Sequence, residues 1–126
     1  MPNHLIDINS LGLPTILSIL EKAKHYQAQL ASGHTTTHNG LMVSLFYEPS
    51  ARTQYSFDIA ASRLGLKVIN PNMATLSDKK GEGIIDTLVT FQQMGVNLIT
   101  LRHPTDKIHH ELINEISIPL INAGDG

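Results

Sequence analysis

Ser50, Arg52 and Thr53 are the residues whose types and spacing best suit chemistry on an anion. They follow the apolar run 41–46 and a short hinge, and a pattern of apolar residues at helical spacing comes after them. The first N–H groups of a helix have no partner inside it, and the helix dipole adds partial positive charge. An arginine beside those donors makes a phosphate site. The alternative is an ordinary helix cap at Ser50 and a solvated charge at Arg52.

Arg102 and the segment 77–80 supply further positive charge after two later strand-like runs. The side chains of interest in that segment are Ser77, Lys79 and Lys80. Because no cysteine and no carboxylate pair accompany them, these groups indicate binding of a phosphorylated electrophile rather than a covalent intermediate. A hydroxyl such as that of Thr53 would stabilise the oxyanion of a tetrahedral intermediate. The alternatives are that Lys79 and Lys80 are a solvated pair, and that His103 is a polar group whose hydrogen bonds are satisfied within the protein.

Strand-like and helical patterns alternate from residue 41 onward, and this alternation indicates a parallel sheet. The predicted strands are 41–46, 66–70, 96–101 and 118–121. We predict an α/β fold, a single three-layer domain over residues 1–126 with a mainly parallel sheet flanked by helices on both faces. Right-handed crossovers place the carboxyl ends of all strands at one edge, where such sheets bind ligands. This topology brings Arg102 close to the segment 50–53.

The helices are predicted from apolar spacing and from capping residues. The first runs from a cap at Ser10 to Gly33, and the second covers about 53–64. The third ends at Gly95, and Ile108, Leu112 and Ile116 mark the fourth. The apolar stripe of the first helix consists of Leu13, Ile16, Leu17, Leu20, Ala23 and Leu30. The buried face of the second consists of Phe57, Ala60, Ala61 and Leu64.

Composition excludes several classes of protein. The chain has 126 residues, 41% of them hydrophobic and 16% charged, as in a folded globular domain. A net charge of −2 without a basic stripe gives no reason to expect nucleic acid. The absence of cysteine excludes disulfides and thiolate sites. We expect no membrane span, no signal peptide and a cytoplasmic location. His34 and His38 are four apart, but loop composition around them argues against a metal site.

Four segments resemble, in order, those of the aspartate/ornithine carbamoyltransferase family. Residues 46–54 (FYEPSARTQ), with 56–60 (SFDIA) behind them, are similar to its carbamoyl-phosphate motif. Residues 79–82 (KKGE) resemble its mobile lysine loop, and 101–104 (LRHP) and 122–126 (NAGDG) match two further segments. The resemblance covers essentially the whole chain. The Glu-Pro before the serine and the NAGDG segment favour the aspartate branch.

The resemblance implies roles at matching positions. Ser50, Ala51, Arg52, Thr53 and Arg102 would bind carbamoyl phosphate, with Arg52, Thr53 and Arg102 as the catalytic set. Lys80 and a hydroxyl from Ser77 would serve the neighbouring subunit's site, because the family forms homotrimers with shared sites. No metal or organic cofactor is implied. Departures from the family pattern are Ala51 for a threonine, Gln54 for an arginine and Leu76 where a serine often stands.

The length of the chain adds a further expectation. In the family, the NAGDG segment precedes an HPTQ segment and then a second domain that binds L-aspartate. The resemblance therefore implies that residues 1–126 are the carbamoyl-phosphate half, with the aspartate-binding domain absent from this chain, and that the isolated chain is inactive. A non-catalytic pseudo-enzyme subunit or assembly module is the alternative function. A binder of another small phosphorylated metabolite is a third.

Overall fold

Strands and helices alternate along the chain in a computed structural model that describes residues 4–33, 37–76 and 83–126. The helices are α1 (Leu13–Ala31), α2 (Ala51–Arg63), α3 (Ile84–Gln93) and α4 (Ile108–Leu112). The strands are β1 (Leu41–Phe46), β2 (Lys67–Ile69), β3 (Leu98–Arg102) and β4 (Leu120–Asn122), and a short 3-10 helix spans Met73–Thr75. Within the described ranges, no helix combines the length and the apolar character that a bilayer crossing requires.

The four strands form one parallel sheet in the order β2-β1-β3-β4. β2 therefore lies on one side of β1, and β3 and then β4 lie on the other side. Right-handed crossovers then place α2 on one face and α3 and α4 on the other. The predicted α/β class, with a parallel sheet between helical layers, is confirmed.

The core is centred on the two middle strands. Residues 42–46 of β1 are all buried, and residues 99–101 of β3 are completely inaccessible. A consecutive buried run means that both faces of the strand are covered, as expected for the interior of a parallel sheet. On one face, Val43 and Leu45 pack in a cluster with Leu88 of α3 and Leu112 of α4. The central strands are thus the most fixed part of the scaffold.

The N-terminal segment covers the outer edge of β4. The Leu5 N–H donates to the Leu120 carbonyl at 2.9 Å, and the Asn122 N–H donates to the Leu5 carbonyl at 2.8 Å. Further along this segment, the Asp7 carboxylate accepts the Ser10 N–H at 2.7 Å and lies 2.6 Å from His110 Nε2. These contacts attach the segment to both β4 and α4.

Several predicted boundaries were wrong. α2 begins at Ala51 instead of residue 53, because Ser50 is already its N-cap. α1 begins after Gly12 instead of after Ser10, because its first helical bond runs from the Ile16 N–H to the Gly12 carbonyl. Strand β3 extends to Arg102, whose carbonyl continues the ladder by accepting the Tyr47 N–H at 2.9 Å.

Two helical faces are less buried than their spacing predicts. No residue of α1 is buried, and Leu13, Leu17 and Leu20 are 65%, 54% and 55% exposed. On α2, only Ala61 is buried, whereas Ala60 is exposed and the other two predicted face residues are intermediate. The spacing of apolar residues predicts which of them share a face of a helix, but it does not predict whether another element covers that face.

The contacts of Asp7 give an acid-dependent prediction. Hydrogen bonds from the Ser10 side chain and backbone, followed by His110, lower the pKa of Asp7 from 3.8 to about 2. Because the folded pKa is lower than the unfolded one, this carboxylate stabilises the fold above about pH 4, and the contribution disappears as pH falls toward 2. We expect Asp7→Asn to lower the melting temperature at pH 6 and to approach wild type only near pH 2.

Thermal unfolding between pH 6 and pH 2 is the measurement. Asp106→Asn, which removes an exposed carboxylate elsewhere, controls for the change in net charge. A gap between wild type and Asp7→Asn that stays constant over this range would contradict the assignment.

Candidate anion-binding site

The N-terminus of α2 presents unsatisfied backbone donors at the carboxyl edge of the sheet. Ser50 is the N-cap, with φ of −157°, and its hydroxyl makes no capping hydrogen bond. The helical bonds begin with the Gln54 N–H, which donates to the Ser50 carbonyl at 2.9 Å, so the three N–H groups before it have no helical acceptor. No acidic residue lies in this first turn. The N-terminus therefore keeps its affinity for an anion.

The side chains of this turn are accessible to a ligand. Arg52 is exposed and Thr53 is half-buried. Ala51, where the family carries a threonine, is exposed and offers only its backbone N–H. Gln54, which stands where the family has an arginine, donates from Nε2 to Asn70 Oδ1 at 3.2 Å. Its amide thus links α2 to the residue that follows β2.

The pairing of β1 with β3 brings Arg102 next to the hinge that leads into α2. Phe46 is the register partner of Arg102, and the Tyr47 N–H donates to the Arg102 carbonyl. The two segments that the sequence predicts to converge therefore leave the same edge of the sheet on adjacent strands. They are about fifty residues apart in the chain, so only the parallel crossover brings them together.

The Arg102 guanidinium is fixed by the segment that follows β4. Its Nη1 donates to the Ala123 carbonyl at 2.9 Å. Its Nε is buried and has no hydrogen-bond partner within the described part of the chain. Gly124 lies directly against it, because a Cβ on Gly124 would fall 2.8 Å from Arg102 Cζ and still nearer Nη1. Gly124 also has φ of +135°, which disfavours any other residue. The glycine provides the space that the guanidinium occupies.

His103 and Asp125 organise the loop beside Arg102. The His103 ring lies 5.0 Å from the Tyr47 ring between centroids, at an interplanar angle of 60°. The Thr105 N–H donates to His103 Nδ1 at 3.1 Å, so Nδ1 is the acceptor nitrogen of that ring. The Asp125 carboxylate accepts the Lys107 N–H at 3.1 Å. His103 therefore has a structural contact on one nitrogen and on its ring face.

The electrostatics of this edge favour an anion. Across residues 4–33, 37–76 and 83–126, the one ion pair joins Asp7 and His110, so no carboxylate there pairs with Arg52 or Arg102. In the same ranges, no three carboxylate or imidazole side chains come together as metal ligands. Within these ranges, therefore, neither guanidinium group is neutralised by a direct ion pair.

Some predicted residues lie outside the described ranges. They are Ser77, Lys79 and Lys80 of the lysine loop, and His34 of the histidine pair. Their contributions stay predictions. Conversely, Ala123 and Gly124 were not predicted as site residues, although the glycine-rich segment that contains them was noted. A glycine two residues after a strand was the available signal, because glycine often marks close approach of another group to the backbone.

Comparisons with known proteins agree on one family. A family profile described as the carbamoyl-P binding domain of aspartate/ornithine carbamoyltransferase matches residues 3–126. The catalytic subunit of aspartate carbamoyltransferase from Methylorubrum populi is 40% identical over 98% of this chain, and that of Methylorubrum extorquens is 39% identical. The match covers 40% of each of those relatives, so the chain spans less than half of their length.

Solved structures give the same result. Aspartate transcarbamoylase from Trypanosoma cruzi, in complex with carbamoyl aspartate and phosphate, superposes with a TM-score of 0.88 at 28% identity. That match covers 99% of this chain and 41% of the other. Ornithine carbamoyltransferase from Pyrococcus furiosus gives a TM-score of 0.88 at 26% identity, over 98% of this chain and 40% of the other.

The contact between Gly124 and Arg102 predicts a specific loss of anion binding. In Gly124→Ala the new methyl group must displace the guanidinium, so we expect phosphate to bind about tenfold more weakly, or about 1.4 kcal/mol. Gly33→Ala is the matched control, because Gly33 has φ of +78° but no atom of the described residues lies within 4 Å of the place its methyl group would take. Both variants lose stability through backbone strain.

Calorimetric titration with inorganic phosphate, beside thermal unfolding, separates the two effects. Equal phosphate affinity in Gly124→Ala and Gly33→Ala would show that Arg102 does not depend on the space at Gly124.

Proposed function

Because this chain belongs to the aspartate/ornithine carbamoyltransferase family, as its carbamoyl-phosphate-binding domain, we propose that it binds carbamoyl phosphate for transfer of the carbamoyl group to L-aspartate. This reaction forms N-carbamoyl-L-aspartate and phosphate in pyrimidine biosynthesis. The observation that carries the proposal is the position of Arg102, fixed at the end of β3 beside the hinge that leads to the N-terminus of α2. A cytoplasmic location is part of the proposal.

The phosphate would be bound by α2. Its first N–H groups, the Ser50 hydroxyl, the Ala51 backbone and the Arg52 guanidinium offer the donors that a phosphate dianion requires. These contacts exist both before and after reaction, since phosphate is also the leaving group. They therefore supply binding and orientation of the substrate.

Thr53 and Arg102 would also contact the phosphate, and both would reach the carbamoyl oxygen and polarise the carbonyl. The neutral amine nitrogen of aspartate attacks the carbonyl carbon, and the carbonyl oxygen becomes negatively charged. The carbonyl then re-forms as the bond from carbon to the phosphate oxygen breaks, and the departing phosphate takes up the proton that the amine loses. Donors aimed at that oxygen stabilise the transition state more than the substrate. Arg102 suits this role because its guanidinium is already held in place by Ala123 and Gly124. The proposal requires no metal or organic cofactor.

Two further parts of the proposal concern neighbouring chains. Ser77 and Lys80 would reach the site of an adjacent subunit, and the chain would assemble as a homotrimer with shared sites. Support comes from the resemblance of residues 79–82 to the family's lysine loop. The aspartate-binding domain would be supplied by polypeptide beyond these 126 residues, in keeping with the 40% share of the relatives that the chain covers.

The role of Arg52 predicts a binding defect. Arg52→Ala should weaken carbamoyl phosphate binding about 10- to 100-fold, the range expected for losing hydrogen bonds to a charged group. Arg63→Ala is the matched control, because Arg63 is also an exposed arginine of α2 but lies in the last turn of the helix. Calorimetric titration of carbamoyl phosphate and of a stable phosphonate analogue is the measurement.

The outcomes distinguish the alternatives. An unchanged affinity in Arg52→Ala, or an equal loss in Arg63→Ala, would contradict the placement of the phosphate. No binding to wild type at millimolar ligand would favour a non-catalytic module. Tighter binding of another phosphorylated metabolite, such as acetyl phosphate, would favour the third function.

A second prediction concerns turnover. We expect the 126-residue chain to form carbamoyl-aspartate at least about 1000-fold more slowly than the catalytic subunit of Methylorubrum populi, because positioning of the amine contributes factors of this size or larger. Colorimetric detection of carbamoyl-aspartate, with both proteins at equal concentration, measures it. Comparable rates would show that the aspartate site lies within these residues.

A further inference from the structure

His109 is a buried imidazole whose contact leads toward the candidate site. It lies on α4 with 0% exposure, and its Nε2 is 2.8 Å from the Leu101 carbonyl oxygen. A carbonyl oxygen can only accept, so Nε2 carries the hydrogen and donates it. Nδ1 is then the unprotonated nitrogen, and it is buried without a hydrogen-bond partner in the described part of the chain.

The Leu101 carbonyl is shared between two donors. It accepts the Ala123 N–H at 2.8 Å as well as the His109 Nε2–H. The same Ala123 residue accepts Arg102 Nη1 through its own carbonyl at 2.9 Å. One peptide carbonyl, in the residue directly before Arg102, therefore connects α4 to the backbone that holds the Arg102 guanidinium.

Packing alone does not account for a histidine at this position. Burial lowers the pKa of His109, whereas its hydrogen bond to Leu101 and then the nearby Asp125 oppose that shift. Burying an imidazole costs desolvation that an apolar side chain of similar volume avoids. What the histidine adds is the donor to the Leu101 carbonyl.

We propose that His109 is a positioning residue for Arg102: its Nε2–H fixes the Leu101 carbonyl and, through Ala123, the direction of the guanidinium at the carboxyl edge of the sheet. The identity of the ligand that this guanidinium binds rests on the proposed function. The chain of contacts from His109 to Arg102 does not rest on it, since all of its atoms belong to this chain.

Two variants of the 126-residue chain separate the hydrogen bond from the packing. His109→Gln keeps an amide N–H donor near the position of Nε2, whereas His109→Met fills a similar volume without a donor. His110→Gln is the control, because His110 is the adjacent, partly exposed histidine whose contact is with Asp7. Each variant is compared with wild type by nuclear magnetic resonance of the ¹⁵N-labelled arginine guanidinium groups and by titration with inorganic phosphate.

In wild type, His109→Gln and His110→Gln, we expect a resolved, slowly exchanging Nη signal from Arg102. In His109→Met, we expect that signal to be lost and phosphate to bind about tenfold more weakly, the size of one net hydrogen bond. If His109→Met melts at a lower temperature but keeps both the Arg102 signal and the affinity, His109 is structural only and the proposal is overturned.

The imidazole ¹⁵N spectrum of wild type keeps the test decisive if His109→Met does not fold. An Nε2–H tautomer at His109, with wild-type affinity in His109→Gln, supports the proposal, and an Nδ1–H tautomer overturns it. Failure of wild type to bind phosphate or carbamoyl phosphate would refute the proposed function instead. The Arg102 signal in the ligand-free chain would then still decide the role of His109.

Discussion

The parallel pairing of β1 with β3 is the constraint on which the candidate site depends. Residues 41–46 and 98–102 are far apart in the chain, and their ladder places the two segments that follow them side by side. The burial of both strands on both faces fixes their register, because a shift of one residue would exchange the core-facing and the opposite side chains. The position of Arg102 relative to α2 is thus a consequence of core packing.

The backbone at the carboxyl end of the sheet fixes the guanidinium of Arg102. Parallel strands leave N–H and carbonyl groups at their carboxyl ends, and the segment after β4 uses them. The Ala123 N–H bonds to Leu101, the Ala123 carbonyl accepts Arg102, and the Gly124 carbonyl accepts the His103 N–H at 3.0 Å. A guanidinium held in this way loses less conformational freedom when it meets a ligand than one that is ordered only on binding.

The sequence predicted this architecture where the signal was local or followed from topology. Strand β1 was predicted at its observed bounds, since a buried apolar run between a glycine and a proline hinge leaves little ambiguity. The convergence of Arg102 with the α2 segment followed from right-handed crossovers. The contacts of Arg102 with Ala123 and Gly124 could not be predicted from spacing, because they join residues 21 and 22 positions apart that meet only after β4 pairs.

Two adjacent histidines also show that spacing in the sequence does not predict burial. His109 and His110 are identical in type and adjacent, yet the first is fully buried and the second is partly exposed. A five-residue helix gives too short a period to choose between them, and the choice is made by the Leu101 carbonyl, eight residues earlier on β3. Likewise, the spacing of α1 predicted a helix, but it did not predict that none of its residues would be buried.

Arg52 and Arg102 differ in burial and in their contacts, and this difference bears on the role proposed for each. Arg52 is exposed on the first turn of a helix, so a bound phosphate would order its side chain and reduce the net binding free energy. Arg102 is half-buried and already bonded to a main-chain carbonyl, so its direction is set before a ligand arrives. Electrostatic stabilisation of a transition state depends on donors that need not reorganise during the reaction. This argument supports the proposed roles, in which Arg102 would act on the carbonyl oxygen, where charge develops, as well as on the phosphate, and Arg52 would act on the phosphate alone, whose charge is present throughout.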